Sequence, residues 1–287
     1  MTVKDRLMFS ARANEIAPFV VMQLAQRASE FEAEGKTVVH FEVGEPDFQT
    51  AAPIVAAAHR AIKAGHTKYT NAQGLSALRE RIGDYYRSMG VVISTERILV
   101  TSGASGGLTL LAALLLDPGD ELLITDPGYP CNDVFARLVG ARPKSIQVHA
   151  ENRFQPTYDD FVAAWGAKTK AALLASPGNP TGTMLPAEDL AAMAAFASGQ
   201  QGAIIWDEIY QGLHHEPAAY PTGLAVVDDL YVLNSFSKLF GMTGWRLGWI
   251  VVPDQAIDPI TKLAQNLFIS SSAPAQYAAL AAFDERP

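Results

Sequence analysis

The chain has 287 residues, 49% of them hydrophobic and 18% charged, which predicts a globular protein with a substantial core and excludes a disordered chain. The formal net charge is −8 and no basic cluster interrupts the acidic balance, so nucleic acid and membranes are not expected as partners. A single cysteine, Cys131, excludes an internal disulfide, and no apolar run approaches the roughly 20 residues that span a bilayer, so we expect a cytoplasmic protein.

The first 48 residues differ from the rest of the chain. A polar helical pattern covers residues 20–34, an apolar stretch covers residues 38–43, and a turn of Gly, Glu, Pro and Asp comes next at residues 44–47. We therefore expect a boundary near residue 48.

From residue 75 onward, helical patterns alternate with short apolar runs. Helices are predicted at residues 75–89, 130–139, 158–165 and 186–197, together with a buried helix over residues 108–116. Strands are predicted at residues 98–102, 121–125, 171–176, 203–206, 231–234 and 247–252. This alternation is typical of an α/β fold in which helices sandwich a mostly parallel sheet, and such sheets bind ligands at the carboxyl ends of their strands.

Lys238 follows one of these predicted strands and is surrounded by polar residues. Ser235 and Ser237 precede it, two glycines come after it, and Arg246 lies eight residues further on. A lone loop lysine is common on protein surfaces, so the functional interpretation of Lys238 depends on which residues lie at the ends of the other strands.

Three other strand ends present three further chemical groups. Asn179 lies in a rigid turn over residues 177–182, Asp207 and Tyr210 follow the strand at 203–206, and a Gly-Ala-Ser-Gly-Gly run at 103–107 offers backbone amides to an anion. Pyridoxal phosphate (PLP) chemistry requires a lysine for the Schiff base, an acid beside the pyridinium nitrogen, donors for the phenolic oxygen and a phosphate site. The set predicts a PLP enzyme whose cofactor is held by Lys238.

With these motifs the sequence resembles the class I aminotransferases, fold type I PLP enzymes of the aspartate aminotransferase-like branch. The resemblance rests on Asn-Pro-Thr-Gly at 179–182, Asp-Glu-Ile-Tyr at 207–210, and Ser-x-Ser-Lys at 235–238 followed by Arg246. It implies an enzyme of amino acid metabolism or biosynthesis that moves an amino group between an amino acid and a 2-oxo acid. It also implies an N-terminal arm and small-domain segment over residues 1–48 and a PLP-binding large domain over residues 49–287.

The resemblance assigns a role to each motif residue. Lys238 would form the Schiff base and move the Cα proton, Asp207 would pair with the pyridine nitrogen, Asn179 and Tyr210 would bind the phenolic oxygen, and Tyr129 would stack on the ring. The phosphate would be held by Gly103, Ala104, Ser105, Ser235 and Arg246, with help from Ser237. No metal is expected, and His214 and His215 are interpreted as surface residues because no metal-ligand spacing surrounds them.

Two further residues imply a homodimer with shared active sites. In the family, the residue matching Tyr69 reaches the phosphate of the neighbouring subunit, and the residue matching Gly44 lies against the substrate carboxylate. The family also has a C-terminal small domain carrying an arginine that binds this carboxylate. Arg286 does not match that motif, so we expect the small domain to be missing here, either because this is a fragment of a longer protein or because the domain has been lost. We expect a chain ending at Pro287 to bind PLP but react slowly.

Several alternatives are compatible with the same residues. Residues 103–107 also match the G-x-S-x-G motif of α/β-hydrolases, with Ser105, Asp207 and His214 or His215 as a triad, although this leaves Lys238 without a role. Ser235 to Lys238 matches S-x-x-K, but its companion motifs are absent. Other fold type I PLP enzymes, such as C–S lyases and synthases, and a catalytically incompetent PLP-fold module are the remaining alternatives.

Overall fold

Seven strands form one sheet in the computed structural model, which describes residues 9–213 and 221–284. They are β1 Ile98–Thr101, β2 Glu121–Asp126, β3 Arg142–Gln147, β4 Thr169–Ala175, β5 Ala203–Asp207, β6 Tyr231–Ser235 and β7 Gly248–Val251. Their order is β1-β7-β6-β5-β4-β2-β3, and all neighbours pair in parallel except β7, which is antiparallel to β1 and β6. The predicted mostly parallel α/β sheet is confirmed.

The structure contains one strand, β3, that the sequence does not predict. It lies at the edge of the sheet, pairs with β2, and includes Pro143 and several polar residues. Proline is tolerated on edge strands, and a strand of this composition lacks the apolar run that indicates a buried strand.

Ten helices accompany the sheet in the described residues. They are α1 Ala11–Glu15, α2 Val20–Ala33, α3 Ala52–Lys63, α4 Ser76–Ser88, α5 Gly103–Leu115, α6 Asn132–Leu138, α7 Tyr158–Ala164, α8 Ala187–Gly199, α9 Ile257–Leu267 and α10 Ala273–Ala282. The five helices predicted from residue 75 onward are present, although the buried one begins at Gly103 and not at residue 108. Residues 38–43 form neither helix nor strand.

Two hydrophobic cores lie on opposite faces of the sheet. Neighbouring residues of one strand alternate between them: Leu173 belongs to the core that includes residues of α5, α6 and α9, whereas Leu174 belongs to the core that includes residues of α3, α4, α7, α8 and α10. Both strand faces are buried because helices cover each side, which is why the strands read as continuous apolar runs. No helix in the described part of the chain is both long and apolar enough to cross a bilayer.

Candidate active site

Five strand ends meet at one edge of the sheet and carry the polar residues that the sequence indicates. β1, β4, β5 and β6 end there, whereas β7 begins there because it runs in the opposite direction. The register places Gly248, the first residue of β7, opposite both Thr101 and Ser235, the last residues of its two neighbours. Arg246, which precedes β7, therefore reaches the same edge as the residues that come after the parallel strands.

The amino end of α5 and Arg246 form one cradle. The helix has no side-chain cap, so its first N–H groups are not satisfied by a side chain and favour an anion. Gly103 has φ +73°, and a Cβ there would lie 2.7 Å from Nη2 of Arg246. The backbone of Arg246 is also in the left-handed region, with φ 52°. Its side-chain Nη1 donates to Thr243 O at 3.0 Å. Amides and a guanidinium converge here, as a phosphate dianion requires.

Ser235 and Ser237 lie beside this cradle and are hydrogen-bonded to each other. The Ser235 hydroxyl accepts from the Ser237 amide at 3.1 Å, and their Oγ atoms are 3.0 Å apart. Both residues are buried. A Cβ on Gly248 would lie 3.0 Å from the Ala104 amide nitrogen, so only glycine lets β7 pass this close to the start of α5.

Lys238 is half-buried and faces the N-terminal segment. Its Nζ donates to the carbonyl oxygen of Gly44, and it lies 5.8 Å from the centroid of the Tyr210 ring. Burial lowers the pKa of the Lys238 amine; Arg246 lowers it further, and Glu45 opposes the shift. A lysine with a depressed pKa has a larger neutral fraction, which is the form that attacks a carbonyl or removes a proton.

The segment that carries Gly44 is anchored to the loop between β6 and β7. Thr50 donates its hydroxyl to Gly241 O at 2.8 Å and accepts from Trp245 Nε1 at 3.0 Å. A Cβ on Gly241 would lie 2.9 Å from the Phe48 ring. Residues 44–50 are therefore held beside Lys238 by contacts about 190 positions away in sequence.

Asp207 ends β5 with a half-buried carboxyl whose Oδ1 accepts from the Ile209 amide at 2.9 Å. Burial raises the pKa of this carboxyl to about 6, and the Ile209 amide opposes the shift. Among the described residues, no lysine, arginine or histidine forms an ion pair with it. An acid in this position suits a cationic ligand atom such as a pyridinium nitrogen.

Asn179 and Tyr210 come together from different strand ends. Asn179 Nδ2 donates to the Tyr210 hydroxyl at 3.0 Å. Burial, and secondarily the charge of Asp207, raises the pKa of Tyr210, so this phenol is a neutral donor at physiological pH.

Tyr129 is 36% exposed, and the Phe19 ring meets it edge-on with centroids 6.1 Å apart. Burial also raises the pKa of Tyr129.

Two other predicted residues have exposed side chains. Tyr69 is 78% exposed and lies in a surface cleft with His66 and Tyr277. Ser105 is exposed on the first turn of α5. His214, His215 and Arg286 lie outside the described residues, so the hydrolase triad and the surface interpretation of the two histidines stay predictions.

Sequence reasoning missed two features of the site. Phe19 packs on Tyr129, and Glu208, directly beside Asp207, is fully buried. No motif marks Phe19. Glu208 was visible as part of Asp-Glu-Ile-Tyr, but a glutamate after a strand reads as a solvated residue unless its tertiary partners are known.

The site combines a half-buried lysine, an acid that has no cationic partner within residues 9–213 and 221–284, an amide–phenol pair and an anion cradle. This set fits a PLP-dependent enzyme in both donor chemistry and placement. The family model for aminotransferase class I and II matches residues 36–287. The chain therefore belongs to the class I and II aminotransferases and is a PLP-dependent aminotransferase. Its substrates are of the amino acid and oxo acid classes.

Three relatives illustrate the range of the family. The chain is 39% identical to a (5-formylfuran-3-yl)methyl phosphate transaminase of Methanocaldococcus jannaschii, over 97% of this chain and 73% of the relative. It is 34% identical to a valine–pyruvate aminotransferase of Mycobacterium tuberculosis, over 93% of this chain and 69% of the relative. The structure of aspartate aminotransferase from Thermus thermophilus with maleate superposes with a TM-score of 0.91 at 30% identity, covering 96% of this chain and 73% of that one.

Proposed function

We propose that this aminotransferase holds PLP covalently on Lys238 and uses the residues at the sheet edge to move an amino group from an amino acid to a 2-oxo acid. The observation that carries the assignment is the convergence of a half-buried Lys238, Asp207 and Arg246 from three separate strand ends. Bound PLP supplies an electron sink for the substrate Cα.

The roles follow from the position of each group. Arg246, the Ser235 hydroxyl and the amides of residues 103–105 bind the phosphate, with Ser237 supporting Ser235. Asp207 keeps the ring nitrogen protonated, since a carboxylate beside it favours the charged form. Asn179 and Tyr210 donate to the phenolic oxygen, and Tyr129 covers the ring. When it is not bonded to the cofactor, Lys238 Nζ would hold and move the substrate Cα proton, as a group with a depressed pKa can do.

Borohydride reduction tests the assignment of Lys238. The purified protein is incubated with PLP, reduced and digested, and the peptides are mapped by mass. We expect one pyridoxyl adduct, on Lys238, because its amine is half-buried with a depressed pKa whereas Lys262 is an exposed partner of Asp258. An adduct on another lysine, or none, would contradict the proposal. Labelling of Ser105 by a fluorophosphonate would favour the hydrolase alternative instead.

We also propose a homodimer in which Tyr69 of one subunit contacts the phosphate in the other. Tyr69 is 78% exposed, and Val39, Phe41 and Phe48 of the N-terminal segment are exposed as well. An aromatic residue this accessible is free to contact a second subunit, and exposed apolar side chains are buried when two subunits associate.

The exchange Tyr69→Phe is expected to weaken PLP binding by about 1.5–3 kcal/mol, because one hydrogen bond to a charged group is lost. Equilibrium dialysis with PLP measures this loss. Tyr158→Phe, at the first position of α7 and also partly exposed, is the matched control and should bind PLP like the parent. Sedimentation of a monomer with full PLP occupancy would refute the dimer.

The division of the chain near residue 48 remains a proposal. It is supported by α2, in which Ala28 is the one buried residue, whereas α3, which begins at Ala52, buries Ile54, Ala58 and Ala61. We therefore assign residues 1–48 to an N-terminal arm and small-domain segment and residues 49–287 to the large domain. A cytoplasmic location likewise stays a prediction that rests on the single cysteine.

A further inference from the structure

Glu208 is a carboxyl group inside the hydrophobic core. It is 0% exposed. Its Oε1 accepts three hydrogen bonds, from Trp206 Nε1 at 3.0 Å, Thr222 Oγ1 at 2.7 Å and the Gly223 amide at 2.6 Å. Its Oε2 is also buried and has no hydrogen-bond partner among the described residues. A group this costly to bury requires an explanation beyond packing.

The contacts of Glu208 join two parts of the chain on either side of Tyr210. Trp206 lies on β5 before Glu208, whereas Thr222 and Gly223 come 14 and 15 positions later. A Cβ on Gly223 would lie 2.6 Å from Trp206 Nε1, so glycine is needed for its amide to come this close. The carboxyl therefore ties together the two ends of the segment that carries Tyr210.

The backbone of Glu208 is fixed as well. Its amide donates to Leu233 O of β6 at 2.8 Å, and its carbonyl accepts from the Gln211 amide at 2.8 Å. Asp207 O accepts from the Ser176 amide at 3.1 Å. Successive side chains of a strand point to opposite faces of the sheet. Because Glu208 is held on the face that carries Trp206, the Asp207 side chain points to the opposite face.

A buried apolar residue could fill this space, but it would leave three donors unpaired. Burial raises the pKa of the Glu208 carboxyl to about 7, with a further contribution from the charge of Asp207. With a pKa of about 7, part of the carboxyl population is neutral at neutral pH, which lessens the cost of a buried charge, and Oε1 accepts in either protonation state. The three donors thus require an acceptor oxygen at this position.

We propose that Glu208 is a positioning residue that holds Asp207 and Tyr210 toward the cofactor by tying β5 to Thr222 and Gly223. This inference rests on the proposed roles of Asp207 and Tyr210. Glu208 does not touch the cofactor in this scheme and acts through its two neighbours in the same motif.

The test compares Glu208→Gln with Glu208→Leu in the PLP-loaded protein and in the cofactor-free protein. Gln keeps the acceptor oxygen, so PLP affinity should stay within about twofold of the parent, whereas Leu should weaken it about tenfold because three donors lose their partner. The pH midpoint of the absorption band of bound PLP should shift in Leu and not in Gln. Without cofactor, the amides of residues 209–211 should exchange about tenfold faster in Leu.

Two further variants separate positioning from general destabilisation. Thr222→Val removes only one of the three donors. It should weaken PLP binding, shift the pH midpoint and speed amide exchange, each by less than Glu208→Leu does. Thr169→Val removes a buried hydroxyl that is bonded to Gly166 and Glu121 at the far end of β4, so it should lower stability without changing PLP affinity or the pH midpoint.

The inference would be overturned by a folded Glu208→Leu protein that has the PLP affinity, the pH midpoint and the amide exchange rates of the parent. It would also be overturned if Glu208→Gln changed these quantities as much as Glu208→Leu does. If Glu208→Leu does not fold, parental values in Thr222→Val would overturn it. Failure of the proposed function is distinguishable, because the parent itself would then form no adduct on Lys238.

Discussion

Replacement of Lys238 by alanine is expected to lower the turnover number by at least about 10⁴-fold, since both the covalent attachment and the group that moves the Cα proton are lost. The amine is half-buried and has a depressed pKa, and no other lysine is assigned to this sheet edge. Transamination of a panel of aspartate, glutamate, alanine and aromatic amino acids, monitored by oxo acid formation, measures the effect.

Controls for Lys238→Ala separate chemistry from folding. Lys262→Ala, which removes an exposed lysine paired with Asp258, should have parental activity. Lys238→Ala should keep the thermal midpoint of the cofactor-free parent, because the Lys238 side chain makes one hydrogen bond, to the Gly44 carbonyl, and no ion pair with the described residues. Turnover above a few per cent of the parental value would refute the assignment of Lys238 as the proton-transfer group.

Replacement of Asp207 by asparagine should retain PLP yet lower turnover about 10²- to 10³-fold, the size of losing one preorganised electrostatic contact. The amide has nearly the shape of the carboxyl and can still accept from the Ile209 amide, but it cannot stabilise a protonated ring nitrogen. Single-turnover absorption changes with an amino acid measure the loss. Asp228→Asn, on a largely exposed carboxyl paired with Arg97, is the control and should react like the parent.

The same Asp207→Asn variant has an expected effect on the stability of the cofactor-free protein. The folded pKa of Asp207, about 6, lies above its ordinary value of 3.8, so the folded state binds more protons than the unfolded state between these pH values. This contribution to the free energy of unfolding is therefore lost as pH rises from about 4 to 6. Urea unfolding should show a flatter pH dependence in Asp207→Asn. An identical profile in both proteins would show that Asp207 does not titrate abnormally.

Much of the site could be predicted from the sequence because its groups lie just after strands that are apolar enough to recognise. Asn179, Asp207 and Lys238 each lie at or shortly after the end of a largely apolar strand, and parallel strands end at one edge. The predicted start of α5 is too late, because a glycine-rich run reads as a bend although here it forms the first turn. β3 escapes prediction since an edge strand with proline carries no apolar signal.

The sequence by itself determined the α/β class, the four strand ends that carry chemistry and the family that the motifs resemble, because these depend on local composition and spacing. Tertiary structure alone decided the rest. β7 runs antiparallel, which is why Arg246 reaches the cradle from the beginning of a strand, and residues 44–50 cover Lys238 through contacts with the loop before β7. Glu208 became visible only through Thr222 and Gly223. Pairing direction, burial and hydrogen bonds between distant residues arise when the whole chain packs, so no local pattern encodes them.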